Sequence, residues 1–174
     1  MNAEKHNLEN AIHLRSEGRL EESNALLVSL AKDEPNNPML LYQCAWSFDV
    51  LGQETNAIPY YENAIALGLT GEDLKGAYLG LGSTYRTIGA YANSKAVFQK
   101  ARNVFPQDNA IKTFYAMTLY NLGEHASAMQ LLLAIIAETS ADSNVQEYQK
   151  AITLYSGNLE KVWGKAVVEN GFAT

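Results

Sequence analysis

The chain has 174 residues, 47% hydrophobic and 18% charged, with a formal net charge of −6, the balance of one globular domain able to bury a core. The acidic balance excludes nucleic acid as a partner, because phosphate binding needs clustered Lys and Arg and the 13 basic residues form no run. An acidic substrate is excluded for the same reason, and no apolar run approaches the roughly 20 residues that span a bilayer.

In chain order, residues 4–37 make a first unit of two helices. One carries Leu8, Ala11, Ile12 and Leu14, and the other Leu20, Leu27, Leu30 and Ala31. The unit ends at Glu34-Pro35, because the residue before a proline is pushed out of the α region. Its first helix is polar at Asn7 and Asn10, as suits a terminal unit with one unneighboured face. The second unit, residues 38–71, opens on Pro38, where a missing N–H has no intrahelical partner to lose. Its second helix contains Pro59, which is tolerable if Asn56 is the N-cap and Pro59 the third helical residue. Tyr61, Ala64 and Ile65 then form its core stripe.

The segment Leu67–Leu74 holds a three-residue insertion and reads as a longer surface turn. The third unit, residues 75–108, runs Tyr78, Leu81, Gly82, Tyr85, Gly89, Tyr91, Ala92, Phe98, Ala101 and Pro106. The fourth, residues 109–142, has Ile111, Tyr115, Ala116 and Leu119, then Ala128, Met129, Leu132, Ile135 and Ile136. A degenerate fifth unit spans 143–174: Val145, Tyr148, Ile152 and Tyr155 make one stripe, and Leu159, Val162, Trp163, Ala166 and Val167 follow the spacing of an amphipathic helix. It reads as the cap over the apolar end of unit four.

One landmark ties the units together. Glycine recurs at Gly18, Gly52, Gly89, Gly123 and Gly157, at intervals of 34, 37, 34 and 34 residues. Glycine suits the tight turn between paired helices because the residue past a helix end commonly adopts positive φ. The period, with the order of large, small, large and proline in residues 75–108, resembles the tetratricopeptide repeat. Tyr78 stands where that pattern prefers Trp, and Ser94 where it prefers Ala. The resemblance implies an all-α fold: a single α-solenoid domain over 1–174, a right-handed superhelix of antiparallel helix pairs in about five repeats and about ten helices.

A catalytic constellation is not found. His6 and His13 lie seven apart on a terminal helix, His125 follows a turn, and none has metal-ligand spacing. Gly80 and Gly82 have no preceding strand and no third glycine, so they belong to a helix rather than a phosphate loop. Cys44 is the only cysteine, so no intrachain disulfide and no cysteine metal cluster can form, which fits a reducing compartment. It reads as a small buried hydrophobe. Residues 1–7 lack the basic and apolar regions of a signal peptide, so the expected location is cytoplasmic. No cofactor, metal or enzymatic activity is expected.

Function then falls to surface. The resemblance implies that the second, fifth, sixth, ninth, twelfth and thirteenth residues of each unit line a concave groove. The best-marked of these are Tyr42, Gln43, Trp46 and Asp49 in unit two, Gly76, Leu79, Gly80, Ser83 and Arg86 in unit three, and Phe114, Met117, Tyr120 and Asn121 in unit four. Aromatics, Met and Arg suit an extended peptide or a partner helix. The competing reading is that Leu79, Phe114 and Met117 are partly core. A clamp for chaperone C-terminal carboxylates is not supported, because Leu8, Ile12, Gln43, Gly76 and Gly80 stand where the resemblance would require Lys, Asn and Arg. Two functions remain: a protein- or peptide-binding adaptor, and a self-associating scaffold that forms a homo-oligomer.

Gly76 and Gly80 lie one turn apart, and each weakens its helix by about 1 kcal/mol relative to Ala. The expectation is that Trp46 lies near Gly80 and walls a pocket, with Tyr42 and Arg86 at its rim. The glycines either leave room for a partner's side chain or only let units two and three pack.

Overall fold

The computed structural model describes residues 2–163, and side chains from residue 7 onward. Within them the chain folds into ten helices and no strand: α1 (Asn2–Ser16), α2 (Leu20–Asp33), α3 (Pro38–Asp49), α4 (Glu54–Ala66), α5 (Gly71–Thr87), α6 (Tyr91–Val104), α7 (Asn109–Asn121), α8 (His125–Thr139), α9 (Ser143–Glu147) and α10 (Gln149–Ser156). Each of the first eight packs on its sequence neighbours, and α5 also packs on both α3 and α7, which is the layering of an α-solenoid.

The glycine landmark holds at four of its five positions. Gly18, Gly52, Gly89 and Gly123 have φ of +79°, +66°, +79° and +79°. At each, the glycine N–H and the N–H after it reach back to the last turn of the helix, as in Gly89 N to Arg86 O (3.1 Å) and Ala90 N to Tyr85 O (2.8 Å). Gly157 differs: its φ is −86°, and it closes a simple turn after α10.

The insertion is a correction to the expected surface turn. The loops 34–37, 67–70 and 105–108 are equal in length, and the extra residues lengthen α5, which has 17 residues against 12 in α3 and 13 in α7. Gly68 (φ +93°) closes α4 where units one and three use a proline, so the chain stops that helix on time and restarts early at Gly71. The start of α4 is a second correction. Its N-cap is Gln53, not Asn56, so Pro59 is the sixth helical residue and deprives the Thr55 carbonyl of its intrahelical donor. Pro59 is exposed, which leaves that carbonyl open to water.

The fifth unit departs furthest. Its first helix is broken at Tyr148 into α9 and α10, and α10 packs on α8. Leu159, Val162 and Trp163 lie beyond α10 and are exposed, so the expected second helix does not begin at Leu159. Ala166 and Val167 lie outside the described residues.

The core forms two clusters. The larger joins units one to three through Leu27, Leu41, Tyr42, Cys44, Tyr61 and Leu81; the smaller joins units three and four through Phe98, Ile111, Tyr115 and Leu119. Cys44 is fully buried, and burial pushes its thiol up to about 12, so it behaves as a small hydrophobe. Ser94 earns its place where Ala was expected: its Oγ donates to the Gly82 carbonyl (2.7 Å) and lies 2.8 Å from Thr118 Oγ1. Ser23 makes the equivalent bond to the Ala11 carbonyl in unit one.

Candidate functional site: two clefts along the first helices

The first cleft lies between α3 and α5, has a volume of about 450 Å³ and is lined by Tyr42, Trp46, Asp49, Gly76, Gly80 and Ser83, together with Val50, Glu54, Tyr61, Thr84 and Thr87. Trp46 does wall it, but the ring lying on Gly80 belongs to Tyr61, and the one on Gly76 belongs to Tyr42. A Cβ at either glycine would fall inside those rings, so the bare patch of α5 is filled by this chain's own tyrosines. The glycines thus serve packing, and the cleft opens beside that packing.

Tyr61 is fixed at both ends. Its ring is buried on Gly80, and its hydroxyl donates to Asp49 Oδ2 at 2.7 Å. Thr84 Oγ1 donates to Asp49 Oδ1 at 2.8 Å. Burial is the main cause that raises the Asp49 carboxyl above its ordinary value of 3.8; the two hydroxyls oppose the shift and Glu54 adds to it. Burial likewise pushes the Tyr61 and Tyr42 hydroxyls up, with the charge of Asp49 adding at Tyr61 and that of Asp73 at Tyr42.

Trp46 is 41% exposed and stacks on Tyr42 with ring centroids 6.2 Å apart. The Arg15 guanidinium from α1 lies 3.8 Å from the indole centroid, and its Nη2 donates to Gln43 Oε1 at 2.6 Å. Gln43 is buried beneath this contact rather than lining the groove. Arg15 Nη1 is buried without a hydrogen-bond partner, and burial lowers the guanidinium's pKa from its ordinary value.

The second cleft, about 510 Å³, lies against α7 and α8 and is mostly apolar: Met117, Tyr120, Met129 and Leu132 line it, with Ala116, Ala128, His125 and Arg86. Met117 and Tyr120 are 37% and 63% exposed. Arg86 belongs here and not at the rim of the first cleft; its Nε donates to Asn121 Oδ1 at 2.7 Å. Leu79 and Phe114 pack on the smaller core cluster, Phe114 stacking on Phe98 at 6.4 Å, so both are largely structural.

One pattern was not drawn from the sequence. The twelfth residue of each of the first three units bonds to the next unit: Arg15 to Gln43, Asp49 to Thr84, and Arg86 to Asn121. Tyr61, Glu54 and Thr84 were thus missed as neighbours of the predicted residues, whereas Arg15 falls at a position that the repeat count already assigns to the groove. The usable signal was the shared repeat position of Arg15, Asp49 and Arg86 and, for Tyr61, a bare glycine facing it from the next unit.

Among the described residues no helix is long and apolar enough to cross a membrane, and no group of His, Cys, Asp and Glu is placed to hold a metal. A family model described as tetratrico peptide repeat matches residues 38–159. Superkiller protein 3 of Saccharomyces cerevisiae is 26% identical over 108 residues, a match covering 58% of this chain and only 7% of that protein. Among solved structures, MamA (41-end) from Desulfovibrio magneticus RS-1 superposes with a TM-score of 0.72 at 15% identity, covering 88% of this chain and 85% of that one. Cut9, in the APC/C hetero-tetramer Cut9-Hcn1, superposes with a TM-score of 0.67 at 17% identity, covering 86% of this chain and 29% of that one. At such identities the structural likeness is one of fold.

Proposed function

The chain belongs to the tetratricopeptide repeat family, and on that premise we propose a non-catalytic binding module that holds an extended peptide or a partner helix along α3, α5 and α7. The fold is that of a protein-interaction or scaffold module. The observation that carries the groove reading is the exposure of Trp46, Met117 and Tyr120 on these helices, each at the edge of a cleft. Large aromatic and Met side chains in that position cost solvation alone and give it back when covered. Cut9 in its hetero-tetramer is a precedent for this fold bound to another chain.

The test is capture from native lysate by the wild type and by Trp46→Ala/Met117→Ala. The expected result is loss of the captured protein with an unchanged melting curve. Equal capture by the variant sinks the groove reading.

Self-association is favoured by a different observation, the exposed Leu154, Tyr155, Leu159, Val162 and Trp163 at the end of the described residues. Light scattering over a dilution series separates the two. An adaptor holds the 19.1 kDa mass of one chain, whereas a self-associating scaffold loses mass on dilution.

A further inference from the structure

The geometry of the first cleft points to a ligand chemistry. We propose that the space beside Asp49 receives one basic side chain, Lys or Arg, of an extended peptide; this rests on the groove reading above and assigns chemistry to one part of it. The walls are the rings of Tyr42, Trp46 and Tyr61, the floor holds the Asp49 carboxylate, and Glu54 stands at the lining as well. Both Asp49 oxygens are held by neutral hydroxyls, and among the described residues no cation lies within ion-pair distance of it.

Neutral donors orient a carboxylate without compensating its charge. Burial therefore leaves an electrostatic cost that an incoming ammonium or guanidinium relieves. Of the three rings that of Trp46 is the substantially exposed one, and it can cover the aliphatic stem of the same cation. The chain already uses this chemistry at the wall of this cleft, where the Arg15 guanidinium rests on Trp46, and again where Arg102 lies over Tyr115 and Lys161 over Trp163.

The charges acting on the cleft decide the sign. Asp49 and Glu54 line it, and Asp73 acts on Tyr42 from α5; the Arg15 guanidinium is the one opposing charge among them. An anionic side chain would meet the carboxylates, and a neutral apolar one would bury Asp49 further with no partner. The pocket is also preformed, because Gly76 and Gly80 fix Tyr42 and Tyr61 against α5 before any ligand arrives.

The experiment follows the indole N–H resonance of Trp46 in the full-length ¹⁵N-labelled chain, identified with Trp163→Phe. The probes are the N-acetyl methylamides of lysine, arginine, norleucine and glutamate, taken to high millimolar concentration. A saturating shift from either cationic probe, with none from norleucine or glutamate, is expected. Asp49→Asn should weaken that binding by about tenfold, in keeping with loss of a charge-assisted contact. Glu54→Gln, further from the packed floor, should weaken it by about threefold and serves if Asp49→Asn does not fold.

Equal binding of norleucine makes the cleft an apolar slot and overturns the proposal. So does preference for the glutamate probe, silence of all four, or indifference of the cationic probes to both substitutions. Silence of the probes while Trp46→Ala/Met117→Ala still loses its partner removes this assignment and leaves the groove reading. Cationic binding with partner capture unaffected does the reverse.

Discussion

The junction of units two and three, which carries the first cleft, and the junction of units three and four use the same repeat positions and have opposite chemistry. In the first, the second helix of unit two offers Tyr61, the next unit offers Gly80, and the twelfth position is Asp49; ring, glycine and carboxylate lock together. At the junction of units three and four, the same three places hold Phe98, Phe114 and Arg86. Two rings stack and fill the gap, Phe98 has no hydroxyl to offer, and Arg86 turns to Asn121; the apolar opening bounded by Met117 and Tyr120 lies against α7 and α8 instead. The difference teaches that a repeat scaffold fixes where side chains meet, whereas the pairing of one large and one absent side chain decides whether the meeting place is polar.

The comparison breaks most visibly at Phe98. It is fully buried between units, so Phe98→Ala should cost about 3–5 kcal/mol in chemical denaturation. A loss under about 1 kcal/mol would mean that the junction of units three and four is not held by ring packing. Gly80→Leu attacks the first cleft from the opposite side. It drives Tyr61 off α5 and should cost about 2 kcal/mol net of the helix propensity gained. Much of that cost should vanish in a Tyr61→Ala background, and an additive result would show that the two residues do not compete for one space.

Pro59 has Ala96 at its counterpart in unit three, so Pro59→Ala makes the two second helices alike. It should stabilise by about 1–2 kcal/mol, since the proline breaks the ladder at the sixth helical residue. No gain would mean that water already satisfies the Thr55 carbonyl. Tyr61→Phe, which makes the junction of units two and three imitate that of units three and four, should cost about 1 kcal/mol through the lost bond to Asp49. Retention of full stability would show that bond to contribute nothing.

The smallest effect is in pH. Because the folded Asp49 carboxyl is raised above 3.8, the folded chain holds this proton more tightly than the unfolded chain. Its contribution favours the fold below pH 3.8 and is lost as pH rises through the raised value. The stability of wild type minus that of Asp49→Asn should therefore fall across that window, and a flat difference would contradict the burial of Asp49.

The repeat and its helix pairing were legible because Gly18, Gly52, Gly89 and Gly123 mark a backbone requirement that other residues meet poorly. Trp46, Asp49, Gly80 and Ser83 were found together because repeat position alone places them on facing helices. Where competing stops exist, the reading failed. Pro59 suggested a late helix start, yet Gln53 caps α4 in spite of it, since tertiary packing of Ala57 and Tyr61 outweighs one lost hydrogen bond. Gly68 and Gly71 looked like a loop, and one of them opens a longer helix. The contact of Arg15 with Trp46 was out of reach of spacing arguments, because it depends on how far one unit turns relative to the next.

The central claim is that partners lie along α3, α5 and α7. It is tested most directly by placing the photo-crosslinking residue p-benzoylphenylalanine at Trp46 or Tyr120, both exposed aromatics at the clefts, and at the exposed Gln99 of α6 as a control. Irradiation in the native cell should join both cleft positions to the same protein and leave the Gln99 form uncoupled. Crosslinking at Gln99 alone, with none at either cleft, would contradict the account.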